Sequence, residues 1–295
     1  MTRRAPSLLL LALVFVLGAL AVSACGAGQP SSPMSWDTQA VPMDYAVVCD
    51  VTQSTLGARD EYVDGLVRVL EGLGHGDRLV VMSAEDSSVQ NSELWIEEEL
   101  PRYAFTPSPR PETDNQLLLD AWQTEEQQRY EDGTAGFAAA HDLGAWRQEA
   151  LKRVQGKVLG RVVTGTDLAG ALYLAGQLLG SESRREERRL VLFTDGLIQT
   201  PAVNWRGGKV TARAVERLVR EQRRAGALPD LAGVTVILIG ARADDDKRLA
   251  ALRGAWSTYV SACGGKLDPR FFMSHLSETL YGEWLGERAV AEAGG

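Results

Sequence analysis

Histidine and cysteine are scarce in this chain, and their spacing excludes several functions. Its 295 residues include three histidines and three cysteines. His75, His141 and His275 stand far apart and form neither an HExxH motif nor a paired-histidine spacing, which argues against a zinc hydrolase. Three cysteines are too few for a disulfide framework. The chain also lacks a GxSxG motif and a P-loop, so it offers no obvious nucleophile and base pair.

Basic residues are also fewer than acidic residues. Lysine and arginine number 31 against 39 aspartates and glutamates, which gives a formal net charge of −8. An acidic chain without a dense basic block binds nucleic acid poorly, so nucleic acid is not an expected partner. With 45% hydrophobic and 24% charged residues, the composition excludes disorder, collagen and coiled coil as global descriptions.

A long apolar run lies at the N-terminus. Arg3 and Arg4 precede an apolar stretch from Leu8 to about Val22, and small residues then lead to Cys25. This order is typical of an export signal, with an uncleaved membrane-anchor helix as the alternative. The residues VSAC at 22–25 resemble the bacterial lipobox. That resemblance implies cleavage before Cys25 and a diacylglyceryl group on its sulfur, which would hold the chain on a membrane.

The predicted organisation follows from this signal. We expect a signal peptide at 1–24 and a lipidated tether at 25–43 that is rich in Gly, Pro and Ser. A domain would then occupy 44–285, followed by a C-terminal tail at 286–295. The expected location is the extracytoplasmic face of a bacterial cell membrane, with the lipid on Cys25 as the anchor.

The body of the chain alternates strand and helix patterns. Short apolar runs predict strands, and apolar residues at helical spacing predict helices. The predicted strands are 44–51, 78–82, 93–98, 189–194 and 234–240, and the predicted helices are 58–73, 166–180, 211–225 and 245–262. This alternation predicts an α/β fold, with a doubly wound, mostly parallel sheet flanked by helices. No sixth strand is evident after Gly240.

The segment at about 99–160 departs from this alternation. It opens with four prolines, which disfavour regular structure nearby, and two helical patterns follow around Trp122 and Trp146. It contains too few apolar residues for a core of its own. We therefore interpret it as a helical insertion within one domain.

Oxygen-bearing side chains mark three loops of the predicted sheet. Asp50, Thr52 and Ser54 alternate where the first strand ends, and Thr166 opens a helix. Asp195 follows the strand 189–194. Each loop has an ordinary alternative, since these residue types also cap helices and end strands. Ligands of open α/β sheets bind outside the carboxyl ends of the strands, and oxygens without His or Cys favour Mg²⁺, or else Mn²⁺ or Ca²⁺.

These three loops resemble the metal-ion-dependent adhesion site of von Willebrand factor type A domains. That family carries DxSxS after its first strand, a threonine in a later loop and an aspartate after its fourth strand. Asp50, Thr52 and Ser54 match with threonine in place of the first serine, and Thr166 and Asp195 match the other two elements. The resemblance covers about 44–265. It implies hydroxyls that bind the metal directly, carboxylates that act largely through water, and a protein partner that supplies a carboxylate as the missing ligand.

Two other functions remain open from the sequence. Asp50 would be the nucleophile if the chain resembled a Mg²⁺-dependent haloacid dehalogenase phosphatase, although that family expects a second aspartate where Thr52 stands. The chain could also be a structural lipoprotein whose metal site is degenerate and empty. Cys49 and Cys263 would pair in one interpretation, but the place of Cys49 inside a central strand favours a buried free thiol.

Overall fold

The computed structural model of this protein describes residues 41–180, 187–200, 203–207 and 209–275. Gln39–Gly295 forms one compact unit. The predicted export signal, Cys25 and the C-terminal tail at 286–295 lie outside the described residues. In the described ranges no helix combines the length and apolarity needed to cross a membrane.

Six strands form one sheet in the order β3-β2-β1-β4-β5-β6. The strands are β1 (Met43–Asp50), β2 (Arg78–Ala84), β3 (Leu94–Glu99), β4 (Glu187–Phe193), β5 (Val234–Ile239) and β6 (Lys266–Met273). Only the β2–β3 pair is antiparallel. The strand order reverses beside the central β1, as in doubly wound folds. The predicted α/β fold with a mostly parallel sheet is therefore confirmed.

Strand β6 has a weak sequence signature for a physical reason. It is an edge strand, and only Leu267, Phe272 and Met273 are buried. Pro269 interrupts its pattern, which is tolerated at an edge because one side of the strand carries no ladder bonds. Its pairing with β5 also shifts register between Val236 and Leu238.

Seven helices connect the strands within the described ranges. They are α1 (Arg59–Gly72), α2 (Ser88–Asn91), α3 (Gln116–Ala140), α4 (Leu143–Gly160), α5 (Leu168–Gly180), α6 (Ala212–Ala225) and α7 (Asp246–Ala262). A 3-10 helix, Gln53–Ala58, precedes α1. The four helices predicted from periodicity match α1, α5, α6 and α7.

The side chains of β1 alternate between two cores. Ala46 and Val48 pack in the core that α5, α6 and α7 cover. Tyr45 and Val47 pack in the core that α1 and α4 cover. Helix α4 contributes Ala150, Val154 and Val158 to this second core, all of them buried. The second half of the 99–160 segment is thus part of the layer that covers the sheet.

Cys49 and Cys263 are free thiols in the structure. Cys49 belongs to the core under α1 and α4, whereas Cys263 belongs to the core under α5, α6 and α7. The sheet lies between them, so the disulfide alternative is wrong. Burial raises the pKa of both thiols, to about 12 for Cys263, which keeps them protonated and unreactive.

Candidate metal centre at the carboxyl edge of the sheet

Asp50 is the last residue of β1, and its carboxylate is the centre of a hydrogen-bond cluster. Only 2% of the residue is exposed. Its Oδ1 accepts from the Thr52 amide at 3.1 Å, the Thr52 hydroxyl at 2.7 Å and the Thr166 hydroxyl at 3.2 Å. Its Oδ2 accepts from the Thr194 hydroxyl at 2.9 Å. Three separate loops therefore meet at one carboxylate.

The first loop directs its hydroxyls into the cluster. The hydroxyls of Thr52 and Ser54 lie 3.1 Å apart. Neither the 3-10 helix nor α1 has a side-chain hydrogen bond at its N-cap, so these hydroxyls do not serve as helix caps. Thr55 stabilises the turn, because its hydroxyl donates to the backbone carbonyls of Asp50 and Thr52. The capping alternative is wrong for this loop.

The loop at 161–167, which carries Thr166, forms a parallel β-bridge with the first loop. Val163 donates its amide to the carbonyl of Val51 at 3.2 Å and accepts from the Gln53 amide at 3.2 Å. This parallel bridge places Thr166 next to Asp50. The following residue, Asp167, caps α5 instead, because its Oδ1 accepts from the Gly170 amide at 2.8 Å. Thr166 therefore joins the cluster, whereas its neighbour Asp167 caps the helix.

A buried arginine ties the two loops together. Arg59 donates to the carbonyls of Val51 at 2.6 Å and Thr52 at 3.1 Å. The same guanidinium donates to the carbonyl of Arg161, at the end of α4. Burial lowers the pKa of Arg59, and the nearby negative charge of Asp50 opposes that shift. The sequence analysis did not identify Arg59, whose i+9 position from Asp50 carries no motif signal.

Asp195 lies at the end of β4 with 5% of its surface exposed. Its Oδ1 accepts from the Leu197 amide at 2.9 Å, and its Oδ2 lies 3.6 Å from the guanidinium of Arg206, which is half exposed. Gly196 follows with φ of 77°, a conformation that favours glycine in the turn. Asp195 makes no hydrogen bond with the other four predicted ligands among the contacts of the described residues. Its negative charge acts on Asp50 and raises the pKa of that carboxyl.

Thr194 is a member of the cluster that the sequence analysis missed. The register pairs Cys49 with Phe193, so the next residues, Asp50 and Thr194, lie side by side where β1 and β4 end. The Thr194 hydroxyl also accepts from the Gly196 amide at 3.1 Å. In the sequence, the only indication of this role is that Thr194 immediately precedes Asp195. That position becomes informative only once β4 is known to pair with β1.

Burial and a neighbouring negative charge both act on the Asp50 carboxylate. Burial raises the pKa of Asp50, and the negative charge of Asp195 raises it further, while hydrogen bonds from Thr52 and Thr194 oppose the shift. In the described ranges, no three His, Cys, Asp or Glu side chains are placed to share a metal. Hydroxyls must therefore supply part of any coordination sphere here.

The donor set fits a hard divalent cation. The Asp50 carboxylate contacts the hydroxyls of Thr52 and Thr166, Ser54 contacts Thr52, and Asp195 is close enough to act on Asp50 through its charge. All of these are oxygen donors of the kind that Mg²⁺, Mn²⁺ and Ca²⁺ prefer. Ser54 and Thr166 are half-buried, so the cluster is open to solvent on that side.

Comparisons with known proteins add fold-level similarity only. No family model and no curated protein matches the chain. Solved structures that it resembles include a von Willebrand factor type A protein from Catenulispora acidiphila, with 13% identity, a TM-score of 0.41, and coverage of 86% of this chain and 43% of that one. The corresponding domain of the pilus tip protein Mfa5 from Porphyromonas gingivalis has 9% identity, a TM-score of 0.44, and coverage of 85% and 96%. The pilus adhesin SpaC from Lactobacillus rhamnosus GG has 12% identity and a TM-score of 0.43, with coverage of 85% of this chain but 30% of SpaC. At this level of similarity the neighbours say nothing about what the site binds.

Proposed function

We propose that this protein is a lipid-anchored, extracytoplasmic domain that binds a divalent cation and, through it, a protein partner. Asp50, Thr52, Ser54, Thr166 and Asp195 would form the metal site, with Mg²⁺ as the simplest occupant. The observation that carries this proposal is the convergence of three loops on the Asp50 carboxylate at the carboxyl edge of the sheet. The anchor would be the lipid on Cys25.

The direction of the hydrogen bonds supports metal binding by the hydroxyls. Thr52 and Thr166 each donate their hydroxyl hydrogen to Asp50, so their oxygens keep lone pairs for a cation, although one lone pair of Thr52 accepts from Ser54. Asp50 would then orient these ligands and balance the charge through water. Hydroxyl ligands are neutral, so a divalent cation would keep much of its charge and attract a carboxylate from a partner on the solvent-open side, beside Ser54.

The same geometry gives little support to a phosphatase. A nucleophilic carboxylate must be ionised and must have an oxygen free to attack phosphorus. Asp50 is buried, its pKa is raised, and both of its oxygens accept hydrogen bonds. Thr52, where that chemistry expects an acid, donates to Asp50 and cannot act as a general acid at neutral pH. A binding role therefore fits the cluster better than a catalytic one.

The test is a cation titration of the compact unit Gln39–Gly295. Ligand that binds only the folded state adds about 2.7 kcal/mol at a hundredfold excess over Kd. We expect Mg²⁺ to raise the melting temperature and a chelator to reverse the rise. Absence of both heat and thermal shift with Mg²⁺, Mn²⁺ and Ca²⁺ would favour the structural lipoprotein with a degenerate site. Hydrolysis of a generic phosphate ester that Asp50→Asn abolishes would favour the phosphatase.

A further inference from the structure

Helix α6 presents a stripe of arginines to solvent. Four of them follow one another at intervals of four, three and four residues, which places them on one face of a helix. They are Arg213, Arg217, Arg220 and Arg224, and all are exposed. The buried residues of the helix point the opposite way and are Val215, Leu218 and Val219. These four residues, the arginine stripe, therefore extend for about 16 Å along the solvent-facing side, or crest, of α6.

These arginines have no carboxylate partner among the described residues. None of the four is joined to an acidic side chain there, and the neighbouring Arg223 is also unpaired. Glu216 and Glu221 flank the stripe and reduce its charge without neutralising it. The stripe is thus a local excess of positive charge on a chain whose formal net charge is −8. Exposed guanidinium groups without an ion-pair partner attract anionic surfaces electrostatically.

Three arginines lie close together at the C-terminal end of the stripe. Arg220, Arg223 and Arg224 line a shallow, open depression on α6 together with Glu216 and Val219. A guanidinium binds phosphate oxygens in pairs, and its apolar stem covers hydrophobic surface beneath it. Three neighbouring exposed guanidinium groups therefore suit a phosphate-bearing headgroup.

The position of α6 is compatible with a nearby membrane. A tether from residue 25 to residue 43 would span up to about 60 Å, which lets any side of the domain reach the bilayer. Helix α6 follows β4 and precedes the parallel β5, so it runs back from the carboxyl edge of the sheet. A membrane along the crest of α6 would leave Ser54 and Thr166 at that edge open to a partner.

We propose that the arginine stripe of α6 docks the domain side-on against anionic phospholipid headgroups. This inference rests on the lipid anchor of the proposed function, which brings the domain to a membrane. It does not depend on the metal site. Headgroup contacts through the four stripe residues and Arg223 would then orient the domain, while the lipid on Cys25 would hold it there.

The test is sedimentation of the unlipidated unit Gln39–Gly295 with vesicles in chelator. We expect binding to vesicles that contain phosphatidylglycerol, no binding to pure phosphatidylcholine, and a decline as salt rises. The triple variant Arg217→Gln, Arg220→Gln and Arg224→Gln should lower the partition coefficient about a hundredfold, from about fivefold for each arginine. These residues are exposed, so an unchanged melting temperature should accompany the loss.

A matched control removes the same charge elsewhere. Arg68→Gln, Arg110→Gln and Lys152→Gln alter exposed residues outside α6 and should keep vesicle binding within about threefold of the wild type. The proposal is overturned by equal losses in both triple variants, by equal binding to both vesicle types, or by no vesicle binding at all. Stripe-dependent binding to polyglutamate without vesicle binding would also overturn it, in favour of an acidic protein partner. None of these outcomes would alter the Mg²⁺ response, so the two proposals fail separately.

Discussion

Asp50, the last residue of the central strand β1, stands beside Thr194, which directly follows β4, and the threonine hydroxyl donates to Asp50 Oδ2 at 2.9 Å. This bond fixes the carboxylate of Asp50 with Oδ1 turned toward the hydroxyls of Thr52 and Thr166. The orientation of the whole cluster thus depends on the pairing of two strands whose residues are 144 positions apart.

Asp195→Ala should abolish the Mg²⁺-dependent rise in melting temperature while preserving the fold. The residue lies in the loop just after β4, and its negative charge contributes, after burial, to the raised pKa of Asp50. Asp244→Ala, at an exposed loop position, is the control and should respond to Mg²⁺ as the wild type does. Equal responses of Asp195→Ala and wild type would remove Asp195 from the site.

Thr52→Ser should keep the Mg²⁺ response and Thr52→Val should weaken it at least tenfold in Kd. Serine retains the hydroxyl that donates to Asp50, whereas valine has the same shape without it. Valine also leaves a buried carboxylate oxygen with one donor fewer, so the apo protein should lose about 1–3 kcal/mol of stability. Calorimetric titration and urea unfolding of both variants would measure these effects. A valine variant with unchanged affinity would contradict direct binding by the hydroxyl.

Arg59→Met should destabilise the protein by about 2 kcal/mol or more. The guanidinium donates to the carbonyls of Val51, Thr52 and Arg161, and methionine would remove all of these hydrogen bonds to a charged donor. Urea unfolding measures the loss, and the exposed Arg68→Met should change stability by less than about 0.5 kcal/mol. We also expect weaker Mg²⁺ binding, because Arg59 joins the two loops that carry Thr52 and Thr166. If the variant kept the stability of the wild type, the hydrogen bonds of Arg59 would not be needed to hold the two loops together.

Glu98 should make the attachment of α4 to the sheet sensitive to acid. Burial favours a higher pKa for Glu98, but hydrogen bonds from Trp146 and Arg153 outweigh it and lower the pKa below 4.5. A lowered folded-state pKa stabilises the fold above the unfolded pKa, and this contribution is lost as pH falls through the folded value. Stability measured from pH 6 to pH 3 should therefore fall less steeply in Glu98→Gln than in the wild type. Parallel curves would show that Glu98 does not contribute.

Cys25→Ala should release the protein from membranes or block its processing. Without the sulfur there is no site for the diacylglyceryl group that the lipobox resemblance implies. Membrane fractionation and gel mobility of the full-length chain give the readout, with Cys263→Ala as the control for loss of a thiol. A variant that stays in the membrane fraction with unchanged mobility would contradict the lipid anchor.

The strength of the local signal separates what was predictable from what was not. Strand β1 is buried along its whole length, so its continuous apolar run predicted a strand. Strand β6 lies at the edge and has three buried residues, so its sequence did not predict a strand. Thr166 and Asp167 were equally good helix caps by residue type. Only the approach of the loop to Val51 decided that Asp167 caps α5 while Thr166 joins Asp50.

The alternation of strands and helices and the oxygen-bearing side chains of three loops were evident from the residues alone, because burial periodicity and turn chemistry are local properties. It could not place Thr194 or Arg59, which carry no motif and act through contacts with distant segments. Tertiary structure decided that the loops meet at Asp50, since the partners in the cluster lie up to 144 positions apart. The physical reason is the strand order: parallel pairing of β4 with β1 brings two carboxyl ends together at one edge.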